Sequence, residues 1–164
     1  MKVSLVIVCH YSSQVLPRCV ESFRSEAATA GVEAEVVAVE HSEDADELAA
    51  VAATGAERVL ERPNRGYAAG LNAGAAEAGG EVLLLANPDI VFFPGSLSGL
   101  LDGITGGFDV VGPQFVWDAE GAVLLPPAED PSPRAELGRA LRRRSLTAWS
   151  AGLSRSAWNG KGVV

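Results

Sequence analysis

The sequence predicts an α/β fold with a mostly parallel sheet flanked by helices, and three observations support it. Short apolar, β-branched runs recur at residues 3–9, 35–39 and 82–86, the composition of strands covered on both faces. Helix-spaced apolar or small residues fill the intervals between these runs. A polar segment follows each strand, at 10–13, 40–46, 62–66 and 87–89. Such alternation builds parallel strands with right-handed crossovers, and ligands gather beyond the carboxyl ends of such strands.

Residues 3–9 read as the central strand. Val15, Cys19, Val20 and Phe23 then recur on one helical face, and 35–39 form the second buried strand. Residues 45–53 read as a helix, 58–60 as a short strand, and 67–78 as a small-residue helix leading to the buried strand 82–86. Beyond Pro94, the spacing of Leu97, Leu100, Leu101 and Ile104 predicts one more helix, and Val110, Val111 and Gly112 a further strand. Residues 115–117 and 122–124 flank a short loop and read as a hairpin. Pro126, Pro127, Pro131 and Pro133 obstruct helix and ladder alike. They divide the chain into an α/β domain at 1–125 and a linker with a basic region at 126–164.

The 164 residues carry a formal charge of −8 with 48% hydrophobic side chains, which fits one globular domain and excludes bulk disorder. A chain of this length buries roughly 70% of its unfolded surface and needs no disulfide or metal staple. Residues 1–132 hold 20 acidic and 6 basic side chains, whereas 133–164 hold 1 acidic and 7 basic. A pI near 4.7 for the whole chain argues against a nucleic-acid partner. Cys9 and Cys19 lack CxxC spacing and a histidine cluster, so they read as buried, reduced thiols. His10 and His41 read as surface-loop residues. No signal peptide is read before the first strand, and no apolar stretch nears the roughly 20 residues that cross a bilayer. The expected location is cytoplasmic.

Three segments carry chemistry. Residues 64–74, NRGYAAGLNAG, form a loop entering a helix of small residues, where unpaired N–H groups suit an anion and small side chains admit a ligand or a close-packed sheet. Asn87-Pro88-Asp89 follows a buried strand, so Asp89 stands at the sheet's carboxyl edge, as a cation ligand or within an ordinary Asx-type turn. Residues 40–46 place four carboxylates in seven positions. Glu40 at the strand tip suits ribose hydroxyls or a base N–H, while Glu43, Asp44 and Asp46 suit helix capping.

In this order, VSLVIVCHYSSQVLPRCVESF, EVVAVEHSEDAD, NRGYAAGLNAG and EVLLLANPDIVFFPGSL resemble family 2 of the inverting glycosyltransferases, especially its rhamnosyltransferase-like branch. AWSAG at 148–152 loosely resembles the strand that opens the family's acceptor half. The resemblance implies a GT-A, nucleotide-diphospho-sugar transferase fold with a Rossmann-like sheet. It implies that His10 and Tyr11 lie beside the nucleobase and that Glu40 takes the place of an Asp contacting uridine or thymidine. Asn64, Gly66, Gly70 and Asn72 would line the nucleotide cleft. Asn87 and Asp89 would stand at the first and last positions of a DxD-type motif, with Asp89 as ligand to manganese or magnesium. The implied partners are a UDP- or dTDP-sugar donor and a saccharide or lipid-linked acceptor.

One departure stands out. Inverting transfer needs a general base, usually a carboxylate in a second acidic motif, and no Asp or Glu occurs beyond Glu136. The catalytic base is therefore not identified, and the acceptor half is expected to be missing. A non-catalytic or degenerate nucleotide-sugar-binding module is the alternative reading. A dinucleotide oxidoreductase is disfavoured because no GxGxxG turn follows the first strand. The basic residues Arg139, Arg142, Arg143 and Arg144 suit either a solvated loop or contact with anionic lipid at the inner face of the cell membrane.

Overall fold

In the computed structural model, which describes residues 1–116, eight elements alternate along the chain. They are β1 (Lys2–Cys9), α1 (Leu16–Ala30), β2 (Glu33–Glu40), α2 (Ala45–Ala52), β3 (Arg58–Glu61), α3 (Tyr67–Glu77), β4 (Val82–Ala86) and α4 (Ser96–Thr105). The strands form one parallel sheet in the order β3-β2-β1-β4. The chain thus steps outward from β1 to β3, then returns to pair β4 on the other side of β1. That reversal places a topological switch point between β1 and β4.

The pleat of β1 separates two packed layers. Val3, Leu5, Ile7 and Cys9 join Leu16, Cys19, Val20 and Phe23 of α1, Val51 of α2 and Leu97 and Leu101 of α4 in one buried core. Val6 and Val8 point to the opposite face, against α3. A Cβ built on Gly74 would stand 2.5 Å from Val6 Cγ1, and one built on Gly70 would stand 2.7 Å from Val8 Cγ2. The glycines therefore let the α3 backbone rest directly on the valines of the sheet. At the end of α1, Gly31 takes the left-handed conformation, φ 67°, that closes the helix.

Two expectations need correction. Among the described residues, strand 82–86 is covered on one face only: Leu83 and Leu85 are 44% and 52% exposed, because α3 sits over β1 and β2. Val110, Val111 and Gly112 form no strand. Val111 instead packs on Gly103 of α4, and Val110 is exposed. Pro113, which follows, offers no amide to a ladder. The compact unit described runs Met1–Gly112. The expected boundary at 125/126, the second hairpin strand, the Pro-rich linker, AWSAG and the arginine run lie outside the described residues.

The amino edge of the sheet is tied by one carboxylate. Glu35 is buried and accepts hydrogen bonds from Ser4 Oγ, Gly79 N at 2.7 Å and Lys2 Nζ at 2.9 Å. Burial pushes its carboxyl upward, but the donors of Ser4, Gly79 and Lys2 outweigh burial and hold it at about 2. The unfolded chain therefore takes up this proton first as the pH falls. The stabilisation is complete above the ordinary value of 4.5 and is lost from there toward pH 2. Glu35→Gln is expected to cost about 2 kcal/mol at pH 7 and to flatten the fall in stability between pH 5 and 2. Thermal unfolding followed by circular dichroism across that range checks this; parallel pH profiles would contradict it.

Candidate functional site

All four polar segments lie at the carboxyl edge, and side chains stitch the first three together. The amide of Tyr11, after β1, donates to Ser42 Oγ at 2.7 Å, and Ser13 donates from both its amide and its hydroxyl to Glu47 of α2. Glu43, after β2, accepts from Asn64 N at 3.4 Å, and Asn64 Oδ1 accepts from Gly66 N at 3.1 Å, an Asx-type turn leading into α3. Tyr11 and Glu43 hold left-handed backbones, φ 49° and 55°, which are uncommon for residues other than glycine. The loops after β1, β2 and β3 therefore form one continuous rim.

Glu40 occupies the floor of that rim. It is 1% exposed; Oε1 accepts from Ser42 N at 2.5 Å, and Oε2 has no partner among the described residues. An unsatisfied buried acceptor costs about 1–3 kcal/mol, so Oε2 calls for a donor. His10 and Tyr11, in the segment that Ser42 ties to Glu40, are exposed and meet edge to face, with ring centroids 4.9 Å apart. Gly66 opens α3 with φ 93°, a backbone that L side chains rarely adopt.

Asn87 and Asp89 project from the segment after β4, across the switch point from His10. Both are exposed, and the Asp89 carboxylate makes no hydrogen bond or ion pair among the described residues. Among the described residues no group of three or more His, Cys, Asp or Glu is assembled to cage a metal. A single free carboxylate fits a hard divalent cation that draws its remaining ligands from diphosphate and water, the usual habit of Mg²⁺. Cys19 Sγ donates to the Asn87 carbonyl at 3.7 Å. Burial pushes Cys9 and Cys19 up to about 12, Asp89 adding to the rise at Cys19, so neither is a thiolate nucleophile at neutral pH.

Other residues lie elsewhere. Gly70 is buried against Val8 and His41, where it serves the seating of α3. Asn72 is exposed two residues further on, turned away from the sheet and off the rim. His41, expected on the surface, is 4% exposed beneath Gly70. Asp44 caps α2 through Asp46 N and Glu47 N as expected, while Glu43 reaches Asn64 instead. Ser42 escaped sequence reasoning although it links Glu40 to Tyr11; a lone serine between carboxylates carries no distinctive signal. A groove of about 450 Å³ between α1 and α2 is lined by none of the predicted residues.

A parallel sheet between helical layers, with its loops joined at the carboxyl edge beside a switch point, defines an α/β domain of the GT-A-like kind. Residues 4–158 match the model of glycosyl transferase family 2, and the chain belongs to that family. Among solved structures it is similar to S. aureus TarS 1–349, with TM-score 0.51 and 21% identity over 65% of this chain and 33% of that one, a likeness of fold. The chain thus spans about a third of that structure's length. No curated protein matches it. Among the described residues no helix is long and apolar enough to cross a membrane.

Two substitutions probe this architecture. Gly70→Ala is expected to destabilise by about 1–3 kcal/mol, since its methyl meets both Val8 and His41; denaturant unfolding measures it, and an unchanged midpoint would refute the seating role. Ser42→Ala is expected to speed exchange of the Tyr11 amide hydrogen about tenfold while leaving that of Val37 unchanged. Equal protection of Tyr11 in both proteins would show that the rim does not depend on Ser42.

Proposed function

We propose that this chain transfers a sugar, with inversion, from a nucleoside-diphosphate donor to an acceptor hydroxyl, and that residues 1–112 supply the donor-binding half. The supporting observation is Glu40, a buried carboxylate with one unpartnered oxygen, tied through Ser42 to the segment that carries two exposed rings. The imide N–H of uracil or thymine is a donor suited to that oxygen, so a UDP- or dTDP-sugar is the preferred donor. Because Oε2 is closed to solvent, the base must displace part of its cover to reach it.

In this reading His10 and Tyr11 flank the base, while Asn64 and Gly66 shape the wall of the cleft where α3 begins. Asp89, with Asn87 beside it, would hold a manganese or magnesium ion. When bound, the ion offsets the negative charge that gathers on the departing diphosphate. The acceptor is a saccharide or lipid-linked saccharide. The cationic residues Arg139, Arg142, Arg143 and Arg144 would suit an anionic membrane surface beside it.

Isothermal titration of the full chain tests both parts of the donor site. UDP is expected to bind more tightly than CDP, whose ring lacks the imide N–H, and Glu40→Gln is expected to cut that preference about tenfold. An unchanged ratio would remove Glu40 from base recognition. Asp89→Ala is expected to abolish the metal dependence of UDP binding; retention of that dependence would sink the metal assignment.

A further inference from the structure

The segment that carries Asn87 and Asp89 is held from below by one stripe of α1. Cys19, Ser22 and Glu26 recur at helical spacing; the first two face that segment and the third the start of α4 that follows it. Cys19 Sγ donates to the carbonyl of Asn87 at 3.7 Å. Ser22 Oγ accepts from Phe92 N at 3.1 Å and donates to Cys19 O at 3.0 Å, so both capacities of the hydroxyl are used. Glu26, 6% exposed, accepts from Leu97 N at 3.4 Å in the first turn of α4, where Gly95 offers no side-chain cap. Phe23 on the same helix meets Phe92, with ring centroids 5.7 Å apart.

Asp89 therefore sits inside a short segment with both ends tied to α1, at Asn87 and at Phe92, while its own side chain is unheld. The direction of such a carboxylate is set by its backbone, and its backbone is set by those ties. We propose that Cys19 and Ser22 are positioning residues for Asp89: through the Asn87 carbonyl and the Phe92 amide they fix where the carboxylate meets a divalent cation. This rests on Asp89 being the metal ligand, as read above. The stripe does not touch the ligand and acts only through the backbone it holds. In metal sites, outer partners of this kind shift affinity by about tenfold or more when removed.

The test uses the full chain with Mn²⁺ in the presence of UDP, protein-bound metal being read by electron paramagnetic resonance and thermal unfolding measured in parallel. Cys19→Ala and Ser22→Ala are each expected to weaken Mn²⁺ binding about tenfold. Cys19→Ser, which keeps a donor, is expected to recover most of that loss. Val20→Ala, a core truncation on another face of α1, is expected to lower the unfolding temperature while leaving Mn²⁺ affinity intact. Should Cys19→Ala fold poorly, the half-buried Ser22→Ala still decides the matter. Parent-like affinity in Cys19→Ala and Ser22→Ala, with binding lost in Asp89→Ala, would overturn the positioning role alone, as would a Val20→Ala loss of equal size. Parent-like affinity in Asp89→Ala would instead remove the metal reading, and the proposal with it.

Discussion

The close seating of α3 on β1 and β2 is the constraint on which the rest of this domain depends. Side chains at positions 70 and 74 would collide with Val8, His41, Val6 and Val39, so glycine at both positions lets the helix backbone lie on the sheet. That contact fixes where α3 begins, and thereby the positions of Gly66 and Asn64 at the carboxyl edge. It also buries His41, drawing the loop after β2 inward. Through Glu43 and Ser42 the same loop then holds Asn64 and Tyr11. A packing constraint within the sheet layer is thus passed to the rim by hydrogen bonds.

The opposite face works by different means. There α1 buries an ordinary apolar stripe but also presents Cys19, Ser22 and Glu26, whose polar atoms engage the segment after β4. Loops at a carboxyl edge carry backbone groups that need partners, and a helix that lends side chains to them reduces their freedom without filling the cleft. Helices on both faces therefore discipline the edge: α3 by close approach, α1 by donated contacts.

Much of this was legible in the sequence. The β-branched runs announced buried parallel strands, and their order announced the loops that matter, because period and composition are local properties. The position of Asp44 before α2 was equally readable, a cap being a matter of two or three residues. What stayed hidden depended on long-range neighbours. Nothing local to Leu83 and Leu85 says that α3 covers other strands, and nothing local to His41 says that a glycine helix lies above it. The small-residue pattern at 64–74 admitted a ligand or a close-packed sheet. Gly70 and Gly74 meet the sheet, while Gly66 and Asn64 reach the rim. Ser22 was invisible because its significance lies in Phe92, 70 residues away.

Two carboxylates on β2 sharpen the division between fold and site. Glu35 and Glu40 are both buried and lie near opposite ends of one strand, so the oxygens of each call for hydrogen-bond donors. At the amino edge Ser4, Gly79 and Lys2 surround Glu35, and its role closes within the fold. At the carboxyl edge Ser42 N alone among the described residues serves Glu40, which leaves Oε2 without a partner. A purely structural acid would gain from a second donor there, and Ser42 Oγ, in the same loop, accepts from Tyr11 N and makes no hydrogen bond to Glu40 among the described residues. The loop thus leaves the carboxylate oxygen to be satisfied from elsewhere. That choice makes sense if the missing donor arrives with a ligand, which is why Glu40, more than any motif around it, supports the proposed base-binding role.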